Sequence, residues 1–292
     1  MLSKTRIAGF ERLVRIYNGS REDSMERRVF LGSSLAAALA VTRPAAYLQG
    51  AQGSTESKGR EFYQLRRYYL SNGAQTKFCD VFLRDALVPA LNRLGITPVG
   101  VFNLTIGPET PSLYVLMPCL SAERLLMVES SLAQDDEYRR AGEDFLSAPA
   151  NEPGFERMES SLLQAFEKMP RLVVPAATAS HSPRIFELRT YESPSDQDHK
   201  RKVEMMQSGE GEIFDKAGFW QVFYGDTLVG RRLPNLTYML GYESLAERDQ
   251  KWAAFQSSPV WKSLSSQPRY AFESIVSNIT NLILTPTAYS QI

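Results

Sequence analysis

Cysteine and histidine are scarce. Two of each in 292 residues leave too few ligands for a zinc site of the usual four-ligand Cys/His kind. Net charge is missing as well. Lys plus Arg and Asp plus Glu both number 33, so no basic excess points to nucleic acid or to an anionic membrane surface. Long apolar runs are also lacking. The one candidate, near the N-terminus, is about a dozen residues, too short to span a bilayer. No Gly-x-Ser-x-Gly elbow or His-Glu-x-x-His helix occurs. Ser208-Gly-Glu-Gly-Glu212 is glycine-rich, but no strand leads into it and no Lys-Ser/Thr follows, so it reads as a weak spot in a helix. His181 and His199 have no companion at metal spacing and read as surface residues. No metal and no cofactor is expected.

What is present begins with an address. Arg27-Arg28-Val-Phe30-Leu31, followed by a short apolar run ending in small residues, resembles a twin-arginine export signal. Cleavage is expected after Ala40 or Ala46, the second preferred, giving a periplasmic or secreted protein with no stable membrane span. Residues 1–24 are an upstream extension without a clear role. Gly50–Gly59 is Gly/Ser-rich and reads as a flexible leader, so that residues 1–60 stand apart from the folded part.

The remainder is a duplication. Glu61-Phe-Tyr-Gln-Leu-Arg-Arg-Tyr68 returns as Arg184-Ile-Phe-Glu-Leu-Arg-Thr-Tyr191. Leu65-Arg66 matches Leu188-Arg189 and Gly95 matches Gly218 at an offset of 123, whereas Tyr114 matches Tyr238 and Ala122-Glu-Arg124 matches Ala246-Glu-Arg248 at 124. Glu159-Ser-Ser161 resembles Glu273-Ser-Ile275 at 114, which implies about ten extra residues in a surface loop within Gly142–Arg157. Copy 1 is thus read as residues 61–173, the linker as 174–183 and copy 2 as 184–292. Apolar and β-branched runs alternate with segments of helical period in the order strand, helix, strand, strand, helix, strand. Pro89 should kink the first helix or start a new turn, and Ser121 should cap the second. A βαββαβ unit is ferredoxin-like, an antiparallel four-stranded sheet with both helices on one face. The fold class is therefore α+β, with two tandem units packed sheet to sheet.

Strand alternation separates two faces. Tyr63 and Leu65, with Phe186 and Leu188, suit the helices. The opposite face carries Gln64, Arg66 and Tyr68, with Glu187, Arg189 and Tyr191, and should point into an inter-sheet cavity. Charges buried there need partners. Either they pair, as Glu187 and Arg189 could across the pseudo-twofold, or they line a wet pocket together with Tyr224 and Tyr238. If the pocket is catalytic, Arg66 and Arg189 could hold an enolate-like oxygen while Tyr68 or Tyr191 donates a proton. Cys79 and Cys119 fall at one end of the sheet; separate buried thiols are expected ahead of a disulfide.

At Phe186-Glu-Leu-Arg-Thr-Tyr191, Tyr238-Met-Leu-Gly-Tyr-Glu-Ser-Leu-Ala-Glu-Arg248 and Ser258-Pro-Val-Trp-Lys262 the second copy resembles the NIPSNAP family, and the first copy does so more weakly. The resemblance implies an intramolecular dimeric α/β barrel and no agreed biochemical activity. Members often carry His-x-Trp where this chain has Tyr238 and Leu240, which speaks against a His-dependent function. The expected function is binding of a small molecule or partner in or near the inter-sheet cavity. The alternative is a cofactor-independent monooxygenase or isomerase of the same barrel type. A small-molecule ligand and a second copy of the chain are the partner classes left open.

Overall fold

The computed structural model describes residues 59–292. The twin-arginine-like segment, its cleavage positions and nearly all of the leader lie outside them. Eight strands form one sheet: β1 (Phe62–Tyr69), β2 (Gly100–Ile106), β3 (Ser112–Cys119), β4 (Arg157–Ala165), β5 (Ile185–Glu192), β6 (Trp220–Val229), β7 (Asn235–Tyr242) and β8 (Asn278–Pro286). Every neighbouring pair is antiparallel, and the order β1-β3-β2-β8-β5-β7-β6-β4 closes on itself as a barrel. Copy 1 supplies the contiguous run β4-β1-β3-β2 and copy 2 the run β6-β7-β5-β8. Packing sheet to sheet is therefore only part of the arrangement. The outer strands also hydrogen-bond edge to edge, β4 to β6 and β2 to β8, which leaves no unpaired strand edge in the barrel.

Helices decorate the outside. In copy 1, α1 (Ala74–Phe82) runs through a π-type turn at Leu83–Leu87 into α2 (Val88–Arg93). Pro89 lies in the first turn of α2, and the wider turn before it accommodates the missing N–H of the proline. After β3 come α3 (Ala122–Leu126), α4 (Val128–Leu132), α5 (Asp136–Ala141) and α6 (Glu143–Leu146); α7 (Ala176–Ala179) lies between the copies. Copy 2 repeats the first device with α8 (Asp196–Met205), a π-type turn at Met206–Glu210 and α9 (Gly211–Lys216). Then follow α10 (Leu245–Ser257), α11 (Pro259–Ser265) and α12 (Phe272–Ile275). Ser121 and Ser244 cap α3 and α10 by accepting from the backbone N–H three residues on.

Three apolar clusters fill the molecule. One lies between the copy 1 sheet and its helices, one between the copy 2 sheet and its helices, and the third inside the barrel. This placement reverses the faces expected from the sequence. Tyr63, Leu65, Phe186 and Leu188 point into the barrel, whereas Tyr68 and Tyr191 pack beneath helices. The physical reason is supply of partners. The deep interior of an eight-stranded barrel meets only other strands and must be apolar, whereas a helix can bring polar groups down onto the sheet.

Strand pairing also corrects the repeat. Arg66 lies opposite Val115 and Arg189 opposite Tyr238, so Val115, and not Tyr114, is the counterpart of Tyr238 at offset 123. The caps Ser121 and Ser244 keep that offset, and Leu245 displaces the Ala-Glu-Arg motif by one position along α10. Ser160 and Asn281 occupy matched places, 121 apart, so copy 1 is longer by two residues at that point rather than about ten. Glu273–Ile275 belongs to α12 and has no counterpart in Glu159–Ser161 of β4. The expected loop within Gly142–Arg157 holds α6 at its start. Cys79 and Cys119 are separate buried thiols, and burial, with the Asp80 charge second, pushes Cys79 up to about 12.

Candidate functional site

With the register corrected, the two sheet–helix layers can be compared position by position. Facing the helices, copy 1 places Val101, Val115 and Cys119 where copy 2 places Tyr224, Tyr238 and Tyr242. On the covering helix, Cys79 and Leu87 of copy 1 become Lys202 and Glu210 in copy 2. On the first strand Gln64 becomes Glu187, while Arg66 and Tyr68 are kept as Arg189 and Tyr191. Apart from Gln64, Arg66 and Tyr68, the copy 1 layer is apolar packing. The other is built from phenols and ionisable groups.

Glu187 is fully buried, and both of its carboxylate oxygens are taken. Oε1 accepts from Arg189 at 2.8 Å and Arg248 at 2.6 Å; Oε2 accepts from the Tyr242 hydroxyl at 2.7 Å and the Trp252 indole N–H at 2.9 Å. Burial alone would raise its pKa. The Arg248 hydrogen bond, the Arg189 charge and the bonds from Tyr242 and Trp252 outweigh it and hold the carboxyl at about 2. The Glu187–Arg189 pair thus forms within one strand, not across the pseudo-twofold. Arg189 continues to the Tyr191 hydroxyl at 3.0 Å, which also accepts from Tyr238 at 2.9 Å. Tyr238 stacks on Tyr224 with centroids 5.2 Å apart and planes 7° apart. Burial drives both phenols well above the usual tyrosine range. Lys202 and Glu210, buried to 0% and 2% exposure, pair at 2.8 Å behind this stack.

The stack opens to a cleft. About 240 Å³ lies between β6 and the α8–α9 turn, bounded by Tyr224, Phe166, Met169 and Met206, with Gln207, Asp215 and Gln221 supplying polar edges. The cleft exists because the π-type turn unwinds in copy 2. Ser208 and Gly209 leave helical geometry, Gly209 with φ +132°, whereas the matching turn of copy 1 stays helical and buries Leu83, Ala86 and Leu87. The glycine-rich stretch is the weak spot that the sequence suggested.

The eight residues singled out by sequence thus divide. Glu187, Arg189, Tyr191, Tyr224 and Tyr238 meet in one connected layer, but beneath the helices rather than between the sheets. Gln64, Arg66 and Tyr68 lie in the equivalent layer of copy 1, where Arg66 pairs with Glu129 at 2.5 Å and with Gln64 at 3.4 Å. Lys202, Glu210, Trp252 and Arg248 were missed. The signal for Lys202 and Glu210 was their spacing of eight positions at a glycine-rich interruption; Arg248 and Trp252 had none. His199 is buried, not a surface residue, and its Nε2 lies 2.7 Å from Asp226 Oδ1. Tyr114, matched to Tyr238 in the sequence, faces the barrel interior. Among the described residues no group of three or more His, Cys, Asp or Glu is arranged to hold a metal ion, and no helix is long and apolar enough to cross a membrane.

The sequence profile of the NIPSNAP family matches residues 63–169 and again 186–291. The chain belongs to the NIPSNAP family. Among solved structures, a "putative monooxygenase" of Lactobacillus acidophilus is similar in fold, at 8% identity and TM-score 0.50, covering 78% of this chain and 94% of its own. A NIPSNAP-like domain protein of Burkholderia xenovorans is 22% identical over 38% of this chain and 90% of its own, with a TM-score of 0.34. An anthrone oxidase-like protein is 13% identical, covering 79% and 92%, with a TM-score of 0.47. No curated protein matches the sequence.

Proposed function

We propose that this NIPSNAP protein is a tandem of ferredoxin-like units in which copy 1 is scaffold and copy 2 binds a flat aromatic molecule in the α8–α9 cleft. The observation carrying this reading is the concerted exchange of five apolar positions of copy 1 for Tyr224, which lines that cleft, and for Tyr238, Tyr242, Lys202 and Glu210 in the buried layer behind it. Burying an ion pair is no route to stability, because the desolvation of both charges offsets most of their attraction. Such groups buried directly behind a cleft instead favour a site. A planar ligand packs at the cleft-facing edge of Tyr224 and Phe166, and the Gln207 side-chain amide N–H groups offer hydrogen bonds beside it.

The test is titration with 1-naphthol, followed by intrinsic fluorescence, alongside mass spectrometry of small molecules that co-purify with the protein. Saturable binding weakened at least tenfold by Tyr224→Val, which installs the copy 1 residue, is the expected result. Equal binding by wild type and variant, or no saturation, overturns the reading.

The second reading is turnover of the bound molecule by a cofactor-independent monooxygenase or isomerase. It is favoured by the run of hydroxyls from Tyr238 through Tyr191 to the Arg189 guanidinium, and by the fold shared with the Lactobacillus acidophilus protein. Oxygen uptake or a change of ligand spectrum on mixing would distinguish it from binding alone. Export through the twin-arginine-like segment belongs to the same proposal. N-terminal sequencing of periplasmic material should then begin after Ala40 or Ala46, and an intact N-terminus retained in the cytoplasm would exclude it.

A further inference from the structure

The barrel has a second cavity, unrelated to the cleft and built by both copies. At one end the interior is filled: Tyr63, Phe102, Phe186 and Phe223 are fully buried, with Tyr63 against Phe223 and Phe102 against Phe186 at centroid distances of 5.0 and 5.1 Å. Toward the other end about 230 Å³ is open.

Inward-facing positions recur every second residue, so each strand records the chemistry from floor to rim. On β5 the sequence is Leu188, Thr190, Glu192; on β8 it is Leu282, Thr280, Asn278; on β4 it is Leu163, Ser161, Glu159. β1 runs from Leu65 through Arg67 to Tyr69. Three strands from two copies therefore repeat one gradient of leucine, hydroxyl and polar rim. The floor leucines and the hydroxyl belt line the same cavity.

At the rim stand Arg231 and Arg232. Arg231 reaches Glu159 at 2.5 Å, and Arg232 reaches Glu192 at 3.4 Å and Thr280 at 3.0 Å, each through Nη1. Their side chains are 60% and 52% exposed, which leaves the other guanidinium donors facing water. Arg67, by contrast, is committed to Ser112, Tyr69 and the Pro108 and Glu109 carbonyls.

We propose that the barrel mouth is a binding site for an amphipathic monocarboxylate, its apolar end on the leucine floor and its carboxylate held by Arg231 and Arg232. In the hydroxyl belt between them Thr190 and Thr237 bond each other at 2.8 Å, which uses one of their two O–H donors and leaves the other for water or ligand. A guanidinium fork with free donors is the group suited to a planar carboxylate.

Isothermal titration with octanoate tests the site in the full chain. One equivalent should bind, octan-1-ol should bind at least tenfold more weakly, and acetate should not saturate. Arg231→Gln with Arg232→Gln, both on exposed side chains, should cut octanoate affinity at least tenfold in protein whose circular dichroism and thermal unfolding match wild type. Leu188→Phe should abolish octanoate binding by filling the floor, and Tyr224→Val should leave it unchanged. Octanol binding as tightly as octanoate, or octanoate binding undiminished in the double arginine variant, overturns the proposal. Loss of octanoate binding in Tyr224→Val alone would transfer the ligand to the helix-side cleft and equally overturn it.

Discussion

At the scale of single residues, Glu187 is the anchor. Its depressed pKa makes the sign of its pH effect definite. The carboxylate contributes stability in full above its unfolded pKa near 4.5, and that contribution is lost as pH falls toward the folded value of about 2. The shift corresponds to roughly 3 kcal/mol at about 1.4 kcal/mol per unit. Glu187→Gln should therefore lose about that much stability at pH 7 in denaturant titrations, and its unfolding midpoint should fall less than that of wild type between pH 4.5 and 2. The Lys202–Glu210 pair makes a different prediction. Lys202→Met strands a buried carboxylate and should cost about 3–5 kcal/mol. Lys202→Cys with Glu210→Leu, the copy 1 pair, should restore wild-type stability or exceed it. The sequence displayed Glu187, Arg189 and Tyr191 as a set that needed partners, but the partners Arg248 and Trp252 lie on α10, about sixty positions on. No local period reports such a meeting.

At the scale of elements, the same helix with the same π-type turn is packed shut in copy 1 and opened in copy 2. Ser208-Gly-Glu-Gly-Glu212 was legible as an interruption because glycine permits the φ of +132° found at Gly209. A Cβ there would meet no atom within 4 Å, so Gly209→Ala should show backbone strain alone, about 1–3 kcal/mol in thermal or denaturant unfolding. Strand existence and order were readable from alternation and turn residues. The face of each strand was not. Alternation distinguishes the two sides of a strand without saying which one meets helices, and here the more uniformly apolar side, Tyr63, Leu65, Phe186 and Leu188, is the barrel interior. The repeat misled in one place for a related reason. Two tyrosines, 114 and 238, looked equivalent, yet one step of register sends them to opposite faces.

At the scale of the whole molecule, closure depends on β4 meeting β6 and β2 meeting β8. Either copy alone would expose two strand edges and its share of the interior apolar cluster. Expressed separately, residues 59–173 and 184–292 should aggregate, and co-expressed they should yield a soluble one-to-one complex on size-exclusion chromatography. Soluble monomeric halves would contradict that account. Duplication was the feature most visible in the sequence, because both copies retain the matched strand opening and the caps Ser121 and Ser244. The edge-to-edge seams were not visible, since hydrogen bonds between strand backbones place little demand on side-chain identity.

Joining the two halves of the barrel in one polypeptide also lifts a constraint of symmetry. In a pair of identical chains every change is made twice, so a buried lysine or an unwound helix would be inherited by both sides at once. Here the unwound turn at Gly209 and the Lys202–Glu210 pair occur a single time, opposite a half that kept its apolar filling. One half is free to drift toward chemistry because the other continues to hold the barrel closed.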